Sequence, residues 1–422
     1  MRRAAADMFR SLRSRNYRVW TAGAFISNVG TWMQRTAQSW LVLVQLTDRN
    51  ASAVGIVMAL QFGPQLLLLP WTGYAADHFN QRKLLMATQA TMGALALGLG
   101  LLTVGGVVRL WHVYGFAFLF GCAAAFDAPV RQTFVGELVG DADLPNAVAL
   151  NSTSFNAARM IGPAIAGIVI AAAGTGWAFL INGASFAAVL ASLSLLHSSE
   201  LRGHARAPRD QGSLGSRLTG GLRYVWSRAD LKAVLIMLFL IGTFGLNFQI
   251  FIATMATRVF HADARGYGLL SSVMAVGTVA GALLGAARAR PNFAALLVGA
   301  LLFGLGCSFA ALAPTYWMFA AALVLIGLAA LTFTNTTNSL MQLSTAPAMR
   351  GRVMALRVGV ALGGTPIGAP IVGWIADQFG PRWALGVGAA SGFAAAIVAV
   401  TTMMRRDHLP HEDMLSGGHV RR

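Results

Sequence analysis

Long apolar stretches alternate with short polar breaks along nearly the whole chain. They fall near residues 17–46, 52–76, 84–107, 111–135, 146–173 and 176–196, and again near 231–258, 266–287, 292–313, 315–341, 352–376 and 381–404. Each approaches or exceeds the ~20 residues that carry a helix across a ~30 Å hydrocarbon layer, and Gly, Pro or charge clusters separate one from the next. The pattern predicts an all-α membrane protein with twelve transmembrane helices in two six-helix bundles. The N-terminal bundle takes 1–196 and the C-terminal one 231–404, with a basic linker at 197–230 and a tail at 405–422. The first stretch could imitate a signal peptide, but it is too long and carries Arg35 inside it, so it reads as a spanning helix.

Composition excludes a soluble globule, because 56 % of residues are hydrophobic and only 11 % charged, less than half the usual charged share. A net charge of +17 would point to nucleic acid in a soluble protein. Here the basic residues sit in short runs between apolar segments, so no nucleic-acid partner is expected and the charge reads as orientation. One set of connections holds Arg2, Arg3, Arg10, Arg13, Arg15, Arg18, Arg82, Lys83, the run from Arg202 to Lys232, Arg288, Arg290, Arg350, Arg352 and the tail arginines. The alternate set holds Arg49, Arg109, Arg258, Arg265 and Arg382. That asymmetry predicts that both termini and the linker are cytoplasmic.

Within the linker, Leu214, Leu218, Leu222, Val225 and Trp226 recur at helical spacing among Arg217, Arg223 and Arg228. This is the pattern of a helix lying on an anionic leaflet, and equally of a solvated basic connection. Cys122 and Cys307 lie inside apolar runs far apart, as packing residues do, and no metal or cofactor is expected.

The second half repeats the first with a shift of 206 residues: Val148-Ala149-Leu150 falls on Met354-Ala355-Leu356, Gly162 on Gly368, Gly167 on Gly373 and Gln132 on Asn338. Two homologous bundles related by an axis along the membrane normal are the economical explanation, and such bundles build transporters that rock around a central site.

After the second segment stands Gly73-Tyr74-Ala75-Ala76-Asp77-His78-Phe79-Asn80-Gln81-Arg82-Lys83. Gly73 permits close helix approach, and Asp77 suits either the cap of the third helix or the positive end of another. With its twelve segments and mid-chain basic loop, the chain resembles the major facilitator superfamily. The resemblance implies that Gly73, Asp77, Arg82 and Lys83 form a cytoplasmic latch, with the eleventh helix and an arginine at the end of the fourth, here Arg131, as partners. The equivalent stretch of the second half, Gly281 to Arg290, has no carboxylate, so the latch reads as one-sided. Ala158 to Gly167, with Gly162 and Pro163, is similar to the superfamily's antiporter element, departing from it at Ala158 and Ala166. The stretches Phe9 to Arg18, Ser27 to Gln34 and Gln61 to Pro64 look like the branch with enterobactin-type siderophore exporters and macrolide efflux proteins. That resemblance implies a plasma (inner) membrane protein handling a small molecule.

Polar side chains inside the apolar segments nominate the chemistry. Asn28, Thr31, Arg35 and Gln38 share one helical face, Asn156 and Arg159 another, and Asn247 and Asn335 stand on the seventh and tenth segments. These are the candidate substrate-binding residues. An Arg at membrane depth costs about 2.5–3.5 kcal/mol on insertion scales, so Arg35 and Arg159 should face a cavity or a counter-charge. Asp127, four residues before Arg131, is the candidate proton-coupling group, exchanging partners between Arg131 and Arg159, or else a static ion pair. His112, beside Trp111 and Tyr114, reads as part of the interfacial aromatic belt. The leading expectation is export of an amphipathic small molecule by proton antiport and alternating access. An importer or facilitator on the same fold is the alternative, and no cluster of nucleophiles or metal ligands points to an enzyme.

Overall fold

The computed structural model describes residues 9–201, 214–287 and 292–407, and the chain there is helical almost throughout. The helices are α1 Arg15–Trp40, α2 Ala51–Leu67, α3 Leu69–His78, α4 Gln81–Val104, α5 Leu110–Leu138, α6 Leu144–Ala173 and α7 Thr175–Ser194. They continue as α8 Leu214–Ser227, α9 Ala229–Leu240, α10 Phe248–Thr254, α11 Ala264–Ala287, α12 Phe293–Leu312, α13 Tyr316–Leu343, α14 Arg350–Gln378 and α15 Pro381–Asp407. The tail beyond 407, the linker from 202 to 213 and Arg288 and Arg290 lie outside the described residues.

Many helix starts are written in single side chains. Ser14, Asn50, Asn80, Asn292 and Thr315 each accept a hydrogen bond from the backbone N–H three residues on, which satisfies a donor that the helix itself leaves unpaired. Asn80 therefore caps α4. Of the two roles open to Asp77, the cap is already taken, and the Asp77 side chain lies outside the described ones.

Ten helical stretches are long and apolar enough to cross a membrane by length and composition. Two expected spans fall outside that set for separate reasons. The first, α1, carries Arg, Asn, Gln and Thr along its length, and the second is split at Leu68 into α2 and α3, with Pro64 inside the last turn of α2. The stretch 229–259 is also interrupted: wide π turns at Ile241–Gly245 and Met255–Val259 flank the short α10.

The 206-residue shift recurs in the helices, since α5 and α13 begin at 110 and 316, and α6 and α14 at 144 and 350. Within the first half α7 packs on α1 and α4, and α5 on α2 and α4; within the second, α13 packs on α11 and α12, and α12 on α15. Two crossings join the halves, α2 with α14 and α6 with α11. Both rely on absent side chains: a Cβ on Gly373 would lie 2.6 Å from the Ala51 carbonyl oxygen, and one on Gly167 would lie 2.7 Å from that of Ala264. These crossings lie toward the face that holds Arg49, Arg258 and Asp377. Farther along the same rods a Cβ on Gly363 would lie 3.1 Å from Leu66, and one on Gly63, Gly73, Gly351 or Gly359 would meet nothing within 4 Å. The close approach expected at Gly73 is thus missing from this conformation, in which the halves are packed together at the Asp377 face, the shut face.

The linker contains the helix α8. It packs on α14 and α9 through Gly221 and Val225, leaving Leu222 and Trp226 exposed.

Candidate functional site

Between the halves lies a cavity of about 160 Å³. The first half contributes Trp32, Arg35 and Thr36 from α1, Met58 and Phe62 from α2, and Arg159 and Pro163 from α6. The second contributes Leu246, Phe248, Gln249 and Ile252, then Tyr267, Ser271 and Met274 of α11 and Thr365 of α14. Trp32 is its centrepiece. The Arg35 guanidinium lies 4.8 Å from the Trp32 ring centre and 5.5 Å from that of Phe62, while the Arg159 guanidinium lies 5.2 Å from Trp32.

Two local features hold that indole. Gly162 brings α6 against α1 so closely that a Cβ there would lie 2.6 Å from the Trp32 Cβ, and Phe155 packs edge-on at 5.7 Å. Gly162 and Pro163 therefore shape the wall at Trp32 and Arg159, and Gly167 carries the crossing with α11. Above the cavity, toward the shut face, Trp40 stacks on Tyr267 across the halves at 5.9 Å.

Among the described residues neither Arg35 nor Arg159 takes part in an ion pair, and Arg35 Nε is buried without a hydrogen-bond partner. Cation–π contact contributes ~1–2 kcal/mol at a desolvated site, so it offsets only part of the cost of each charge.

Asp127 belongs to a separate network. Its carboxylate accepts from the Arg131 guanidinium at 2.9 Å, from Thr88 Oγ1 at 2.9 Å and from Gln89 Nε2. Arg131 also reaches Asn28 Oδ1 at 3.4 Å. The intervening Pro129 leaves the helix and its i,i+4 pairing intact. Arg159, the alternative partner, is engaged with Trp32 instead.

The polar stripes divide. Arg35 and Arg159 meet in the cavity, Asn28 joins the Asp127 network, and Thr31 and Asn156 bond back to carbonyls of their own helices, those of Ser27 and Ser152. Gln38 is buried, with Nε2 unpartnered. Asn247 is fully buried and donates to the Thr243 carbonyl at 2.7 Å, so it is not on the cavity wall; Gln249, which no periodicity singled out, is. The π turn before it is the reason, because the wider turn rotates the register on which a seven-residue stripe depends. Asn335 is exposed on α13, away from the wall. A buried arginine on α14, Arg357, also escaped the stripe reading; it donates to the Thr334 carbonyl at 3.1 Å. In the first turn of α4, Arg82 donates to the Ser194 carbonyl at 3.0 Å.

At the shut face Asp377, at the end of α14, accepts from the backbone N–H groups of Ala51 and Ser52, each at 2.8 Å, and from Ser52 Oγ at 2.6 Å. It also pairs with Arg258 at 2.6 Å. Arg258 donates further to the Ala376 carbonyl and to that of Arg49, a residue held in the left-handed region at φ 57°. Among the described residues no three His, Cys, Asp or Glu side chains gather as a metal site would need, and both cysteines are free.

A family model described as transmembrane secretion effector matches residues 6–419, nearly the whole chain. The chain belongs to this family of major facilitator transporters. Of its relatives, the multidrug efflux pump Tap of Mycobacterium tuberculosis is 26 % identical over 83 % of this chain and 84 % of its own. The enterobactin exporter EntS of Escherichia coli is 24 % identical over 88 % and 87 %. The staphyloferrin A transporter of Staphylococcus aureus is 26 % identical over 62 % of this chain and 65 % of its own length, just under two thirds. The fold is shared with a bacterial homologue of the human lysosomal transporter Spinster, in an inward-facing and occupied conformation, at TM-score 0.70 and 15 % identity over 94 % of this chain and 99 % of that one. The protein is a multi-pass membrane transporter.

Proposed function

We propose that this transporter exports an amphipathic small molecule, of the drug or siderophore kind, from the cytoplasm by alternating access coupled to proton antiport. The observation that carries the reading is the cavity shared by the halves, with Arg35 and Arg159 on its wall, beneath the closed contacts of the Asp377 face. The relatives named as exporter and efflux pump support the direction of flow.

In this reading α1 and the broken pair α2–α3 complete a set of twelve spans, divided into two pseudo-symmetric six-helix bundles on either side of the linker. The basic connections face the cytoplasm of the plasma (inner) membrane, so the shut face is the outer one and the cavity opens inward. Asp127 is the proton-coupling group: protonation releases Arg131, which lies within reach of Asn28 on the cavity helix α1. Gly73, Asp77, Arg82, Lys83 and Arg131 act when the inner face closes, which suits the open surroundings of Gly73 here.

The test uses everted membrane vesicles energised by respiration. Uptake of an exported compound, abolished by an uncoupler, is the expected result. Movement down its own gradient, indifferent to the uncoupler, would replace the antiporter with a facilitator, and accumulation only in right-side-out vesicles would make it an importer.

A further inference from the structure

We propose that Arg35 and Arg159 together receive an acidic group on the transported molecule, which is therefore an organic anion with an aromatic or extended apolar body. This rests on the transporter reading and names its substrate class. The two guanidinium groups share one indole, and neither has an acidic partner among the described residues. No carboxylate lines the cavity among the described residues, and Asp127 and Asp377 are engaged elsewhere, Asp127 by Arg131, Thr88 and Gln89, and Asp377 by Arg258 and the start of α2. Arg35 Nε remains a buried donor with nothing to donate to. An unpaired buried charge is costly, and a carboxylate, sulfonate or phosphate is the group that forked guanidinium donors recognise. Trp32, Phe62, Phe248 and Tyr267 supply the complementary apolar surface. A cation entering the same space would meet two positive groups and no negative one, so the pocket rejects as well as selects.

The test is equilibrium dialysis of the purified full chain in detergent with three probes of one shape: 2-naphthoate, 2-naphthalenemethanol and 2-naphthylmethylammonium. The acid should bind at least about tenfold more tightly than the other two. R35Q and R159Q should each weaken the acid by about ten- to hundredfold, the range expected for a lost charged hydrogen bond, with less change for the alcohol. R159K should retain more affinity than R159Q, which a purely structural role for this residue would not produce. The proposal is overturned if folded wild-type protein shows no preference for the acid, does not bind it, or binds it equally after both arginines are replaced. Charge-selective binding without flux in vesicles would leave this assignment standing and remove the transporter reading; uncoupler-sensitive flux confined to the ammonium probe would do the reverse.

The shut face carries an independent device. Gly373-Trp374-Ile375-Ala376-Asp377-Gln378-Phe379-Gly380-Pro381-Arg382 repeats the Gly, Ala, Asp, Phe and Arg of Gly73-Tyr74-Ala75-Ala76-Asp77-His78-Phe79-Asn80-Gln81-Arg82 in the same register. The shift is 300 residues rather than 206, and the copies end at opposite faces, because Asp377 rests on Ala51, where the α2–α3 rod that leads to Asp77 begins. Opposite ends fit inverted three-helix repeats within each half combined with the 206-residue repeat between halves, which already relates Gly373 to Gly167. We infer that Asp377, with Arg258 and the N-terminus of α2, is a second latch that holds this face shut, and that Asp77 opposes it from the other face.

The test places a cysteine reporter on the cavity wall, Ser271→Cys with Cys122→Ser, and reacts it with an impermeant maleimide from the shut side. D377N and R258Q should each raise the labelling rate about tenfold, since loss of one charged contact shifts a two-state population by that order. D77N added to D377N should lower the rate again. Unchanged labelling in D377N and R258Q would remove the latch, and a further rise on adding D77N would show general loosening in its place.

Discussion

At the scale of single residues, charge at membrane depth was the most legible feature of the sequence. Arg35, Arg159, Asp127 and Arg131 stood out because burial of each needs a reason, and each proves to have specific surroundings. Trp32 and Phe62 did not stand out, because an aromatic side chain facing a cavity and one facing lipid have the same composition. Asp377 escaped notice because it sits at a segment end, where a carboxylate usually meets water. The Asp127 network leads to a prediction. D127N keeps the shape and most of the hydrogen bonds to Thr88 and Gln89 while losing the charge that holds Arg131. Proton-driven accumulation in everted vesicles should fall at least tenfold while 2-naphthoate affinity stays within about threefold of wild type, because Asp127 is not part of the cavity wall. Intact accumulation would return Asp127 to a static structural pair.

At the scale of elements, the boundaries were read from caps and breaks, and the departures have physical causes. The stretch 231–258 reads as one uniform rod, yet the structure divides it with two π turns. A π turn carries no composition signal of its own, so the face assigned to Asn247 was wrong by the rotation that the turn introduces. This separates two neighbours that look interchangeable. Asn247→Leu removes the donor to the Thr243 carbonyl inside a fully buried site and should lower the thermal midpoint by several degrees. Gln249→Leu, on the cavity wall, should leave the midpoint within about a degree and alter probe binding instead. Thermal unfolding followed beside equilibrium dialysis separates the two, and equal midpoint losses would contradict the burial difference. A similar argument applies at Gly162, where the space for a side chain is already filled by the Trp32 Cβ. Gly162→Val should shift α1 against α6 and weaken binding of naphthoate and naphthalenemethanol alike, in contrast to the charge-selective loss expected of R159Q.

At the scale of the whole molecule, the arginine tally that orients the chain and the contacts of those arginines make one argument. The five arginines of the sparse set are few, and two of them are consumed by the fold. Arg258 is fixed to Asp377 and two carbonyls, and Arg382 donates to the carbonyls of Ala311 and Ala313, where α12 ends with unpaired acceptors. Such residues stabilise helix ends and say little about which side of the membrane they occupy. Some of the dense set is engaged as well, Arg10 with Asp143, Arg228 with Asp230 and Arg82 with the Ser194 carbonyl, so in the proposed orientation it is the number of positive charges on that side, not their freedom from contacts, that argues for the cytoplasm. Alkaline phosphatase fused after residue 49 should therefore be active outside the cytoplasm and inactive when fused after residue 80, while a fluorescent protein at either terminus should mature in the cytoplasm. R382Q should loosen the α12–α15 corner and lower the thermal midpoint by a few degrees while leaving every reporter unchanged, because its bonds are internal. A reversed pattern would turn the molecule over: the shut face would then be cytoplasmic, Asp377 would guard the inner side, and the cavity would open outward to receive rather than expel its anion.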